Sequence, residues 1–239
     1  MRRENEMDAE LKEKFATALQ GVLRIQPQLD VIMRVCTYVE SREDATGLHV
    51  YRLAAYALEI ARAMGLDSQA RERLALSAAL HDIGKLVIPD RVVLKPGKLD
   101  PDEWEIAKRH ASAGHRILAG SSHPEVEEAA QVALCHHEKW DGSGYPTGFV
   151  GDSIPLPARI VAVVDVLDAL TSKRAYKEAY PLDTAFGIVR QGSGSHFDPG
   201  IVDAQGEVET RILMFHNTFA DASTGIPLYR FAEFLEGRR

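Results

Sequence analysis

The chain has 239 residues, of which 45% are hydrophobic and 26% are charged, a composition typical of one large globular domain or two small ones. Its formal net charge of −7 argues against wide contact with nucleic-acid polymers or anionic membranes, although a local cluster of cations could still hold a small anion. The apolar runs are too short and too charged to span a bilayer, and the first residues contain no apolar signal core. These features predict a cytoplasmic protein with no membrane contact.

The N-terminal part predicts two helices. Apolar residues recur at helical spacing over residues 7–25, with charged residues between them. Pro27 interrupts this pattern, and a second helix is expected over residues 29–40. Three roles for the first helix stay open: packing on the core, pairing with a second copy in a homodimer, or contact with a partner.

Two further helices are predicted to carry histidines on their buried faces. Residues 49–64 place His49 at the start of an apolar stripe, and Gly65 stands where a C-cap glycine is expected. In the next segment Leu74, Ala78 and His81 share one face, so His81 and Asp82 end that helix.

Capping signals predict the helices that follow. Asp100, Pro101 and Glu103 form a strong helix start, and that helix carries His110. The sequence SHPE at residues 122–125 resembles a second capping box, before a helix that carries His136.

The remaining elements are also predicted to be helical. Residues 159–171 are apolar and long enough for a buried helix, and Asp198 begins another. Past Gly206 one or two helices are expected, with Phe215 and Phe219 packing on the body. The sequence therefore predicts an all-α domain with a helical N-terminal extension. Cys36 and Cys135 follow no ligand spacing and are expected to be free buried thiols.

A group of imidazoles and carboxylates lies on segments that all read as core-facing. Buried ionisable groups are costly unless something pairs them, and a metal centre would pair them all. Two metals would activate water and clamp the oxygens of an in-line phosphoryl displacement, with Asp82 able to bridge them. Ligands without thiolates suit iron, manganese, zinc or nickel. The candidate ligands are His49, His81, Asp82, His110, His136, His137 and Asp165.

Several motifs make the chain resemble the HD-GYP family, a branch of the HD phosphohydrolases. They are HDIGK at residues 81–85, IPD at 88–90, LKPG at 94–97, HHEKWDGSGYP at 136–146, RAYK at 174–177 and SHFDP at 195–199. The resemblance runs from about residue 46 to residue 202. It implies an HD-domain helical bundle over residues 46–205, after an extension over residues 1–45 and before a helical tail over residues 206–239.

The resemblance also implies an activity: hydrolysis of cyclic di-GMP to pGpG, and in many members to GMP, at a centre of two or three metals. It makes the seven candidates metal ligands, with Asp82 bridging. It places Lys85 at the scissile phosphate and Arg174 and Lys177 on phosphate oxygens. It also gives the Gly144-Tyr145-Pro146 loop a place beside the substrate and, in some members, contact with diguanylate cyclase domains.

One position departs from the family pattern. Members with three metals carry a glutamate four residues before the first histidine, where this chain has Ala45. Alanine cannot ligate, so two divalent ions, iron or manganese, are predicted, and Asp44 is only a weak substitute. The change also puts full turnover to GMP in doubt.

Two other functions stay open at this point. One is an HD phosphohydrolase that acts on another nucleotide. The other is a catalytically weak regulatory module that binds cyclic di-GMP or a cyclase partner.

Overall fold

The computed structural model describes residues 27–41, 48–172 and 178–220. The regular structure in these residues is helical, with one isolated β-bridge between Ser193 and Phe197. The all-α prediction is confirmed. The predicted helix over residues 7–25, the expected role of Ala45 and the last part of the tail lie outside the described residues. The helices are α1 (Pro27–Glu40), α2 (His49–Ala63), α3 (Ser68–Leu80), α4 (Asp90–Val93), α5 (Pro101–Leu118), α6 (Pro124–Cys135), α7 (Leu156–Thr171), α8 (Leu182–Gln191), α9 (Pro199–Glu207) and α10 (Glu209–Ala220).

Helix α2 forms the centre of the bundle. Each residue from 49 to 61 is buried, and α3, α7, α9 and α10 pack around it. Ala54, Ala55, Ala57 and Ala61 leave room for the neighbouring helices to approach closely. A helix enclosed in this way can hold a histidine at its first turn inside the molecule.

Most of the predicted helix ends are confirmed. Asp100 Oδ1 accepts from the Glu103 backbone N–H, and Glu103 Oε2 accepts from the Asp100 backbone N–H, both at 2.9 Å. Gly65 follows α2 with φ +75°, and Asp198 caps α9 through the Gly200 N–H.

The second predicted capping box is wrong. Helix α6 begins at Pro124 with His123 as its N-cap, and no side chain caps it. Proline fixes the backbone angle of the first helical position, and its missing N–H is not needed there. With His123 as the N-cap, Glu125 stands at the second helical position, one residue before the third position that a capping box requires.

The 3-10 helix Ile83–Val87 packs against the backbone of α5. A Cβ built on Gly84 would lie 1.9 Å from the His110 carbonyl oxygen and 2.4 Å from the Gly114 nitrogen. Only glycine permits this approach, which brings Asp82 and Lys85 beside His110.

Helix α10 packs on α2 through the buried rings of Phe215 and Phe219, as predicted. Both cysteines are buried free thiols, also as predicted. Among the described helices, none has the length and apolar character needed to cross a membrane.

Candidate metal centre

The structure brings the seven candidate ligands together in two adjacent groups. Within each group the ligand atoms all lie within 4.8 Å of one another. The first group contains Asp82, His110, His136 and His137, and the second contains His49, His81 and Asp165.

Asp82 lies between the two groups. Its Oδ1 is 3.2 Å from His110 Nε2 and 3.6 Å from His136 Nε2, and its Oδ2 is 3.1 Å from His81 Nε2. Each oxygen thus faces a different group, which is the arrangement of a bridging carboxylate.

Backbone carbonyls set the orientation of three of these imidazoles. In each case Nδ1 donates to a carbonyl one turn earlier, which leaves Nε2 turned toward the centre. Such outer partners fix the tautomer of ligating histidines. The pairs are His81 with Ala78 at 2.8 Å, His110 with Ala107 at 2.7 Å, and His136 with Ala133 at 3.1 Å.

His49 has a carboxylate partner instead. Its Nδ1 lies 2.7 Å from Asp168 Oδ2, and Arg52 donates to both oxygens of Asp168 at 2.5 and 2.9 Å. Burial would raise the pKa of Asp168, but Arg52 and His49 hold that pKa well below its ordinary value. Asp168 therefore stays ionised and keeps His49 Nε2 toward Asp165, 3.7 Å away.

Sequence reasoning did not identify Arg52 and Asp168 as parts of the site. Each follows a candidate ligand by three residues on the same helix, Arg52 after His49 and Asp168 after Asp165. This spacing places each of them on the same helical face as the ligand that it follows. It was the only sign in the sequence that they belong to the site.

A divalent ion fits this arrangement. His81 Nε2 and Asp82 Oδ1 are buried and make no hydrogen bond, and polar atoms left in that state are costly. Burial, helped by His136, lowers the pKa of His110 to about 4 and that of His137 well below its ordinary value. Neutral imidazoles are the form that binds metal.

The pKa of His81 is shifted in the opposite direction from those of His110 and His137. Burial would lower its pKa, but Asp82 beside it raises the pKa to about 9. Burial would raise the pKa of Asp82, but Lys85 and His81 hold it well below its ordinary value. His81 and Asp82 are therefore both charged when no metal ion is bound. A metal ion that binds there would displace the His81 proton.

A cavity of about 620 Å³ opens in front of the centre. Asp82, Asp165 and three of the histidines form part of its wall, and the rest is mixed apolar and cationic. The wall also includes three lysines and two aromatic side chains: Lys85, Lys95, Lys98, Trp104 and Tyr145.

Lys85 stands beside the bridging position. Its Nζ lies 2.7 Å from Asp82 Oδ2 and 3.5 Å from Glu40 Oε1. The side chain is 17% exposed and reaches the cavity. Its ammonium can therefore contact an anion placed over Asp82.

The Gly144-Tyr145-Pro146 loop forms one side of the cavity. The Tyr145 ring stacks on His137 with centroids 4.8 Å apart and meets Trp104 edge-on at 5.8 Å. Gly144 is required because a Cβ there would lie 2.3 Å from the Lys139 nitrogen. Arg174 and Lys177 lie outside the described residues.

Glu138 holds this loop in place, and sequence reasoning missed its role. Its side chain is buried and accepts from the backbone N–H groups of Thr147 and Gly148 at 2.7 to 3.2 Å. Its position directly after His137, before a glycine-rich loop, was the only signal in the sequence.

Comparison with known proteins gives a family match. Residues 35–201 match the family model described as HD domain. The cyclic di-GMP phosphodiesterase response regulator RpfG of Xanthomonas campestris is 45% identical over 175 residues, covering 73% of this chain and 46% of that protein. A 3'3'-cGAMP-specific phosphodiesterase 2 of Vibrio cholerae is 40% identical over 174 residues, covering 73% and 33%.

The chain thus spans about half the length, or less, of these curated relatives. Among solved structures, Bd1817, an HDG"Y"P protein of Bdellovibrio bacteriovorus, superposes with a TM-score of 0.57 at 17% identity. The superposition covers 86% of this chain and 63% of that one. At this identity the likeness shows a shared fold, and the resemblance found in the sequence motifs is confirmed.

Proposed function

The chain belongs to the HD domain family, and on that premise we propose that it is a metal-dependent phosphodiesterase that hydrolyses cyclic di-GMP to pGpG. The observation that carries the proposal is Asp82, whose two oxygens face two separate histidine groups at the wall of a cavity. A pure binding module has no need of so many buried polar groups.

We propose that the seven side chains hold two divalent ions, iron or manganese. Asp82, His110, His136 and His137 would hold one ion, and His49, His81 and Asp165 the other, with Asp82 shared. Ions bound there would activate a water molecule and neutralise charge on the phosphate.

The protein's own cations would bind the substrate phosphates. Lys85 lies over the shared carboxylate, so its ammonium can offset charge that develops on the scissile phosphate. Arg174 and Lys177 are proposed to hold phosphate oxygens, on the strength of the RAYK motif at residues 174–177. Tyr145 would limit the cavity beside the reacting phosphate.

We propose that the cavity selects guanine over adenine through Lys98. Lys95 and Lys98 both lie on the wall, but the Lys95 ammonium pairs with Glu103 at 2.5 Å. A lysine ammonium only donates hydrogen bonds. On its N7 edge guanine accepts twice, whereas adenine accepts once and donates once. This supports cyclic di-GMP as the substrate, with 3'3'-cGAMP, the substrate named for one relative, as the second candidate.

A hydrolysis panel tests the proposal. Protein loaded with manganese or with iron under anaerobic conditions is incubated with cyclic di-GMP, 3'3'-cGAMP and linear dinucleotides, and the products are separated by chromatography. The highest kcat/KM is expected for cyclic di-GMP, with pGpG as product. Tight binding of cyclic di-GMP without turnover would instead establish a regulatory module.

The Lys98→Met variant tests the selection of guanine. Lys98 carries the wall ammonium proposed to contact guanine, so kcat/KM for cyclic di-GMP is expected to fall several-fold more than that for 3'3'-cGAMP. Arg116→Met, on the exposed end of α5, is the control and should change neither value. An equal fall for both substrates would rule out a role in base selection.

We propose that the catalytic unit corresponds to residues 46–205 and acts in the cytoplasm. The exposed end of the Gly144-Tyr145-Pro146 loop is proposed as a contact for a diguanylate cyclase domain, and the N-terminal segment as a homodimer contact. Analytical ultracentrifugation, alone and with a purified cyclase domain, tests both contacts.

A further inference from the structure

We propose that Glu40, at the end of α1, is an additional ligand on the His49 side of the metal centre. The inference rests on the proposed centre and adds a carboxylate that its motifs do not contain. Glu40 lies nine residues before His49 and reaches the centre from a different helix.

Glu40 is buried beside the free nitrogen of His49. The residue is 3% exposed, and its Oε2 lies 3.8 Å from His49 Nε2. His49 Nδ1 is held by Asp168, so Nε2 is the nitrogen left for a cation. Asp165 Oδ1 lies 3.7 Å from the same Nε2, so two carboxylates approach this nitrogen at nearly equal distances.

The distance between Glu40 and His49 agrees with a shared ion. Zinc-like ions hold nitrogen and oxygen ligands at about 2.0–2.2 Å, so two atoms that share one ion lie within about 4.4 Å of each other. The separation between Glu40 and His49 falls inside this limit, as does the 3.9 Å between His81 Nε2 and Asp165 Oδ1.

The second carboxylate oxygen supports the same role. Glu40 Oε1 is buried without a hydrogen bond, and its nearest recorded cation is Lys85 Nζ at 3.5 Å. Glu40 does not form part of the cavity wall, so it is not placed to contact the substrate. A buried carboxylate is costly unless it is paired, and a metal ion on the His49 side would give Glu40 a second cationic partner beside Lys85.

Charge balance gives an independent reason. Asp168 is neutralised by Arg52, so Asp82 and Asp165 alone would face two divalent ions and the ammonium of Lys85. A third carboxylate lowers this excess of positive charge, and ions dominate the local charge at such sites. Glu40 would thus add, from α1, a third carboxylate to the proposed pair of ions.

Manganese titration tests the role of Glu40. Wild type, Glu40→Gln and Glu59→Gln are stripped with chelator and titrated with Mn²⁺, and free Mn²⁺ is followed by electron paramagnetic resonance. Wild type is expected to bind two ions. Glu40→Gln is expected to keep one of them at unchanged affinity and to bind the other roughly 10–100-fold more weakly.

Glu59→Gln is the matched control. Glu59 is also buried, but it pairs with Arg211 at 3.0 Å outside the centre, so its loss should leave both affinities unchanged. Thermal melts of the stripped proteins check the fold. If Glu40→Gln does not fold, Glu40→Asp, which keeps the charge but shortens the side chain, takes its place and should show an intermediate loss.

The outcomes separate two failures. If Glu40→Gln binds both ions as tightly as wild type, Glu40 is not a ligand, and the proposed function stands. If wild type binds no Mn²⁺, the metal centre itself is wrong, and this inference falls with it.

Discussion

Asp82 is the residue on which the two halves of the centre depend. It is the only carboxylate among the described residues recorded within 3.6 Å of imidazole nitrogens from both groups, His81 on one side and His110 and His136 on the other. Removing it would leave each group short of a ligand and also remove a partner of Lys85 that lies 2.7 Å away.

Asp82→Ala is therefore expected to lose metal and activity together. A shared ligand contributes several kcal/mol to the transition state, so kcat should fall roughly 10³-fold or more. The measurement is elemental analysis paired with turnover of cyclic di-GMP. Asp203→Asn, an exposed carboxylate on α9, should change neither, and an active Asp82→Ala enzyme would contradict the bridging role.

Gly84 carries a steric requirement rather than a chemical one. Its missing side chain lets the 3-10 helix after Asp82 touch the His110 carbonyl. Gly84→Ala is expected to lower stability by about 1–3 kcal/mol or more, because the clash must separate the two segments. Urea denaturation measures the change.

Gly187→Ala serves as the control for Gly84. Gly187 lies inside α8, and a Cβ there would meet nothing within 4 Å. Its replacement should raise stability by about 0.5–1 kcal/mol. A Gly84→Ala variant as stable as wild type would show that the close approach can relax without cost.

Helix α5 contributes both a metal-site histidine and an aromatic side chain to the cavity. His110 faces Asp82, and Trp104, 47% exposed, stands two turns earlier beside Tyr145. This arrangement would offer a ring face to a purine of the proposed substrate.

Trp104→Ala is expected to raise KM for cyclic di-GMP and leave metal content unchanged. Stacking of a base on an aromatic side chain contributes about 1–3 kcal/mol, which corresponds to roughly 5- to 150-fold in KM. Ile117→Ala, an equally exposed apolar residue near the other end of α5, is the control. A change in kcat alone would place Trp104 outside the base-binding region.

At the level of elements, the sequence predicts the helix ends that are set by neighbouring residues, such as capping side chains and C-terminal glycines. Helix α5 begins at Pro101, directly after its N-cap Asp100, because its capping box is complete within four residues, and α2 ends before Gly65. The pattern at residues 122–125 failed because the same residues allow two N-caps, and proline selects the later one.

The roles of Arg52, Asp168 and Glu138 were not predictable from local rules. Each depends on a partner far along the chain or on a loop conformation, as with Arg52 and Asp168, which are 116 positions apart. The seven candidate ligands were identifiable because costly polar residues stood on apolar faces. Their supporting residues looked like ordinary surface charges.

At the scale of the whole molecule, the centre joins helices that are distant in sequence. His49 lies on α2, His81 and Asp82 follow α3, His110 lies on α5, and Asp165 lies on α7. Two ions bound to these side chains would link most of the bundle, whereas without them His81 Nε2 and Asp82 Oδ1 stay buried with no hydrogen bond. Metal binding is thus expected to stabilise the folded state as a whole.

Removal of metal should therefore lower the melting temperature. An ion present at 100 times its Kd adds about 2.7 kcal/mol per site, which raises Tm by roughly 5–11 °C for a chain of this size. Differential scanning fluorimetry with chelator, and then with increasing Mn²⁺, measures the shift. Asp82→Ala is expected to lose most of the increase, because both sites lose a ligand, while Asp203→Asn should keep it. A wild-type Tm that does not respond to Mn²⁺ would mean that the buried histidines and aspartates are stabilised by one another alone.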